Sequence, residues 1–303
     1  MKNPFHKKDD GIVILSKPEP LSCGGRYATQ DTNAPKQIES SEMIFFSATS
    51  CLNRENGEGL SYISAFAAPL SDGVFLFLQK GEGFGRRGET ESAWTAVKED
   101  IFPSLVNLVR ECDLAKDNGY HSTTHGLPQN FGGQVEILYA GGEKISYSDN
   151  QQPILSAKAG DKIASLFAAA MRGEKLALPG IESLIAIRFR EERENGGFTE
   201  AVLTLLPDGT GENRKKSRYD DEKVYESVKT VSGETLGEIK KTITDTGILF
   251  WSSLPESGYL SVDRKMTFIF EDGTEITVVD GKKVPDPIRH GFFDIQLEIT
   301  TKH

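Results

Sequence analysis

Two stretches of this chain, 131 residues apart, carry the same apolar pattern around the same kind of turn, and they limit the fold more than any other feature. In Gln134–Ser148 (QVEILYAGGEKISYS), Val135, Ile137 and Tyr139 alternate along one face, Gly141-Gly142 reverses the chain, and Ile145 and Tyr147 resume the alternation. Lys265–Val279 (KMTFIFEDGTEITVV) repeats this with Met266, Phe268 and Phe270, an Asp272-Gly273 turn, and Ile276. Strict alternation interrupted by a glycine turn predicts a β-hairpin. The same offset pairs Leu105, Leu108 and Cys112 with Leu236, Ile239 and Ile243, apolar positions at the spacing of one helix face. It also pairs Trp94 and Val97 with Tyr225 and Val228. The expectation is an α+β protein built from an internally duplicated unit of antiparallel strands with helices packed on one face. A period this long excludes a solenoid.

The division follows from the offset and from composition. Residues 1–41 form an N-terminal irregular segment with an edge strand over Gly11–Leu15. Residues 42–175 form the first α+β repeat and 180–303 the second, with the junction marked by Pro179-Gly180. Within the first repeat Met43–Leu52, Tyr62–Ala68 and Val74–Gln79 read as strands. A helix begins at Pro103, where a proline costs no hydrogen bond, and another spans Lys158–Arg172. Ser92–Ile101 fits either a helical turn or an extended segment. Leu184–Arg190 and Glu200–Leu206 read as strands joined through Asn195-Gly196-Gly197. The segment PDGTGENRKKSRYDD reads as a polar loop, and the alternating Phe293, Ile295, Leu297 and Ile299 read more as a strand than a helix.

Charge and length narrow the function classes. A net charge of −10 opposes non-specific attraction to nucleic acid or to an anionic membrane. No apolar run approaches the roughly 20 residues that span a bilayer. Leu21-Ser22-Cys23-Gly24 resembles a lipid-attachment site but lacks a preceding hydrophobic segment. Cysteines at 23, 51 and 112 make neither a disulfide framework nor a zinc pattern, so the expected location is cytoplasmic.

Four motifs carry chemical interest. Gly83–Gly88 (GFGRRG) matches a phosphate-cradling glycine pattern, but the following strands look like antiparallel hairpins, whereas a dinucleotide site needs a βαβ unit. His121 and His125, four apart, could share a metal on a helix with Glu111 or Asp113. The flanking glycines and proline predict a loop instead, and no metal is expected. No nucleophile motif is present, and no cofactor is implied. The segments KGEGFGRRGE and PDGTGENRKKSRYDD both precede the Trp94 or Tyr225 segment of their repeat. Both are basic and contain glycine. Arg86, Arg87, Lys215 and Lys216 are therefore the candidate ligand-binding residues, for an anionic partner.

The leading expectation is a non-catalytic binding or interaction protein, whose partner is an unidentified protein or an anionic ligand. The alternative is an enzyme acting on a phosphorylated small molecule through the paired basic loops.

Overall fold

The computed structural model describes residues 11–16, 24–53, 59–82, 90–127, 131–177, 180–219, 223–257 and 263–300. The chain divides into two compact units after Lys175.

The first unit contains β1 (Ile12–Ser16), β2 (Arg26–Asp31), β3 (Met43–Cys51), β4 (Leu60–Leu70), β5 (Gly73–Glu82), β6 (Thr90–Val97), α1 (Phe102–Glu111), β7 (Tyr120–Thr124), β8 (Gly133–Tyr139), β9 (Lys144–Asp149) and α2 (Ala157–Ala170). Its nine-stranded sheet has the order β1-β2-β7-β9-β8-β3-β4-β5-β6. Every neighbouring pair is antiparallel except β7 and β9. Of the described part of residues 1–41, β1 forms the expected edge strand and β2 joins it in this sheet. Ser92–Ile101 resolves as β6, which pairs with β5 from Val74↔Val97 to Gly81↔Thr90.

The second unit contains β10 (Leu184–Glu192), β11 (Phe198–Leu205), β12 (Gly211–Arg218), β13 (Val224–Val231), α3 (Gly233–Thr246), β14 (Asp263–Phe270), β15 (Glu275–Val279) and α4 (Asp286–Thr300). Its sheet has the order β13-β12-β11-β10-β14-β15. Two expectations fail here. Most of PDGTGENRKKSRYDD is not a loop: residues 211–218 are β12, paired on both sides. The 291–301 segment does not form a strand, because it lies mostly in α4.

The connectivity from β3 onward and from β10 onward is alike except that β7 stands between helix and hairpin in the first unit and has no counterpart strand among the described residues of the second. Four strands meander, a helix follows, a hairpin returns to pair with the first strand of the meander, and a second helix closes. Elements within the helix–hairpin part begin at matching places: α1 at Phe102 and α3 at Gly233, β9 at Lys144 and β15 at Glu275. The strand before the helix does not keep that register. β6 ends at Val97, five residues before α1 begins, whereas β13 ends at Val231, two before α3. By position and burial Val97 therefore corresponds to Val231, not to Val228, which is exposed.

Local chemistry explains these elements. Ser156 and Ser232 cap α2 and α3, each accepting the backbone N–H three residues on at 3.2 Å. Four hairpins share one reversal. At Tyr139, Arg193, Leu206 and Phe270 the N–H donates to the carbonyl four residues later, while the N–H three residues later returns to the first carbonyl. The residue that closes the shorter ring is Gly142, Gly196, Gly209 or Gly273, with φ between 80° and 86°, a conformation that costs a side-chain-bearing residue about 1–2 kcal/mol. Asp208 and Asp272 add an acceptor for the N–H two residues on.

One face of each sheet is covered by helices. Val135, Ile137 and Tyr139 are buried in a core shared with Leu105, Leu108 and Phe167. Met266, Phe268 and Phe270 are buried likewise in the second unit, as are Leu236, Ile239 and Ile295. The middle strands of the first unit are apolar on their other face too: Phe45, Phe66, Phe75 and Trp94 form a chain of ring contacts with centroids 5.2–6.1 Å apart. A strand buried on both faces reads as a continuous apolar run, as Val74–Leu78 does. Among the described residues no helix is long and apolar enough to cross a membrane.

Candidate functional site

β12 presents its cations on both faces of the sheet. Lys215 points to the helix side, where its Nζ donates to the carbonyl of Thr300 at 2.6 Å. Beside it the Asn213 side-chain amide donates to the carbonyl of Ile299 at 2.6 Å. The last carbonyls of a helix have no partners within it and carry the negative end of its dipole. Lys215 and Asn213 thus anchor the end of α4. Lys216 points to the other face and pairs with Glu226 at 3.0 Å. Its neighbours there are engaged as well: Arg214 with Glu212 at 2.6 Å, and Arg218 with the carbonyl of Gly196 and over the ring of Phe198. Lys215 and Lys216 therefore cannot meet one ligand from one side. Arg86 and Arg87, with the rest of Gly83–Gly88, lie outside the described residues.

His121 belongs to β7, an extended strand, in place of the expected loop. Its Nδ1 is 3.0 Å from the Ser148 hydroxyl across the sheet. Partial burial lowers the pKa of this imidazole and Lys144 lowers it further, while Asp31 acts in the opposite direction. Extended backbone separates residues four apart by roughly 13 Å, which removes the shared-metal geometry a helix would give His121 and His125. Glu111 is held by Lys162 at 2.7 Å. Among the described residues no group of three His, Cys, Asp or Glu side chains is placed to hold a metal ion.

Two buried carboxylates, Asp149 and Glu191, each centre a polar cluster that satisfies them internally. In the first unit Asp149 accepts from Arg26 at 3.2 Å and from the backbone N–H groups of Gln151 and Gln152, while Arg26 also donates to Ser122 and Tyr120. In the second, Glu191 accepts from Arg264 at 2.9 Å and Arg193 at 2.8 Å, and Arg264 reaches Asp280 at 3.3 Å. Burial pushes the Glu191 carboxyl up, but the two guanidiniums together hold it below the ordinary carboxylate value. Groups whose hydrogen-bonding capacity is used internally serve the fold.

What remains open is surface. β13 is the last strand of its sheet, and seven of its eight residues are exposed. Val224 and Val228 stand 50% and 61% exposed on one face, and Tyr225 50% exposed on the other. β1, the first strand of the other sheet, exposes Ile12, Val13, Ile14 and Leu15. Natural sheets blunt their edges with charge, proline or cover, and VYESVKTV does so only with Glu226 and Lys229. Matching Tyr225 and Val228 to Trp94 and Val97 hid this edge. The visible sign was that charges fall on both faces of the segment.

No protein-family model matches this chain, and no curated protein matches it.

Proposed function

We propose that this chain is a non-catalytic interaction protein that takes up an extended segment of a partner protein along β13. The carrying observation is a terminal strand exposed on both faces, with apolar side chains on each. Strand addition would draw affinity from main-chain hydrogen bonds and selectivity from alternate side chains, here Val224 and Val228 on one face and Tyr225 on the other. The engagement of every cation on β12 within the unit favours this reading over an enzyme for an anionic ligand.

The test compares wild-type chain with a Tyr225→Lys/Val228→Lys variant in pull-downs from native lysate. A partner retained by the wild type should be lost from the variant at an unchanged thermal midpoint. In the isolated complex the amides of β13 should exchange with solvent far more slowly than in the free protein. Unaltered exchange along β13 in that complex would refute strand addition.

We also propose that the two units are copies of one ancestral unit. The common strand order, the matching glycine turns at Gly142 and Gly273, and the constant offset from helix to hairpin support this. An experimental structure in which β3–β6 and β10–β13 fail to superpose strand for strand would remove it.

A further inference from the structure

We propose that the groove between α3 and α4 docks a basic amphipathic helix of a partner protein. The two helices approach closely at Gly291, where a Cβ would lie 2.6 Å from the Thr246 side chain. Between the two helices lies a groove of about 420 Å³. Its floor is apolar, made by Ile239 and Ile295 with Leu297 at the side. Its rims are acidic: Glu238 and Asp245 on α3, Asp294 and Glu298 on α4, against the one cation Lys241. His290 stands 3.8 Å from Asp294 at the end of the α4 rim.

A second observation points to an occupant. Phe293 and Leu297, one turn apart on α4, are 39% and 48% exposed. An isolated exposed leucine is ordinary, but Leu297 lines the groove and Phe293, one turn before it and outside the groove lining, extends it into an apolar stripe that a docking partner would cover. The distance along α3 from Glu238 to Asp245 is about 10 Å, enough to seat two turns of helix. An occupant with apolar residues three and four apart would meet Ile239, Ile295 and Leu297. Lysine or arginine on its flanks would meet both rims. The groove is a different surface from β13, and the proposal does not rest on strand addition.

The probe is a labelled amphipathic helix of leucine and lysine, titrated with the full chain and followed by fluorescence anisotropy. Asp294→Lys/Glu298→Lys should weaken binding by roughly tenfold or more, and so should Leu297→Asp, which leaves the rim intact. Glu200→Lys/Glu212→Lys makes the same change in net charge elsewhere in the unit and should leave binding within about twofold. Equal weakening by that control would mean attraction to the protein's overall charge, and would overturn the proposal. Wild-type affinity in the rim variant would do the same. If Tyr225→Lys/Val228→Lys alone abolishes probe binding, the helix sits on β13. The groove assignment then fails while the edge-strand reading survives.

Discussion

Phe268→Ala should lower the stability of the second unit by about 3–5 kcal/mol, the range for emptying a buried phenylalanine site. Phe268 is fully buried and central: Ile187 lies opposite it on β10 and Ile276 opposite it on β15. Neighbours held in a sheet on both sides relax little into the space, so the cavity cost adds to the lost burial. Phe268→Leu keeps most of the volume and should cost under about 1.5 kcal/mol. The two units need not unfold together, but the chain has two tryptophans, one in each, Trp94 and Trp251. In a Trp94→Phe background the fluorescence of Trp251, which is buried and donates to the Thr246 carbonyl, follows the second unit alone. A denaturation midpoint for Phe268→Ala no lower than that of Phe268→Leu would contradict the packing described.

Glu191→Gln should cost about 2–3 kcal/mol. Breaking a buried ion pair leaves uncompensated charge and typically costs more than the intact pair contributes. Here Arg193 and Arg264 keep 32% and 27% of their side chains exposed and can partly rehydrate, which sets the estimate at the low end. Glutamine keeps the shape but turns one acceptor into a donor facing a guanidinium. The pH dependence gives the sign. Because the folded carboxyl titrates below its unfolded value, its contribution is fully present above about pH 4.3 and is lost as pH falls through the folded value. The stability gap between wild type and Glu191→Gln should therefore be widest near neutrality and shrink in acid. A gap independent of pH down to about pH 3 would show that the carboxylate charge is not what holds the cluster.

The parts of the fold legible in the sequence were those where one physical rule dominated. Alternation with glycine turns located both hairpins, and helical spacing located α1 and α2. The misreadings each came from a competing requirement. β12 lacks an alternating pattern because its inward positions include Asn213 and Lys215, placed to satisfy the end of α4, so a polar strand looked like a loop. β7 carries a buried Ser122 that serves Arg26, and its polar run looked like a turn. In α4 the buried residues are Ile288, Gly291, Phe292, Ile295 and Ile299, a helical set. The exposed Phe293 and Leu297 filled in between them and produced a false alternation. The candidate site was less legible still. Arg86 and Arg87 lie outside the described residues, while Lys215 and Lys216 proved to be committed within the unit. The exposed edge at β13 depends on which strand ends the sheet, and that is a property of topology, not of local pattern.

The order of strands in the second sheet also bears on how it is made. β10 through β13 pair with neighbours in sequence, as do β14 and β15, and each such hairpin closes a short loop. β10 with β14 is the exception, joining Glu192 to Asp263 across most of the unit. Closing that loop demands chain entropy before any contact repays it. During synthesis β10 leaves the ribosome with one edge satisfied by β11 and the other open until β14 emerges. For that interval LIAIRF, four of its six residues the future core, is the segment of this unit most in need of protection from other chains.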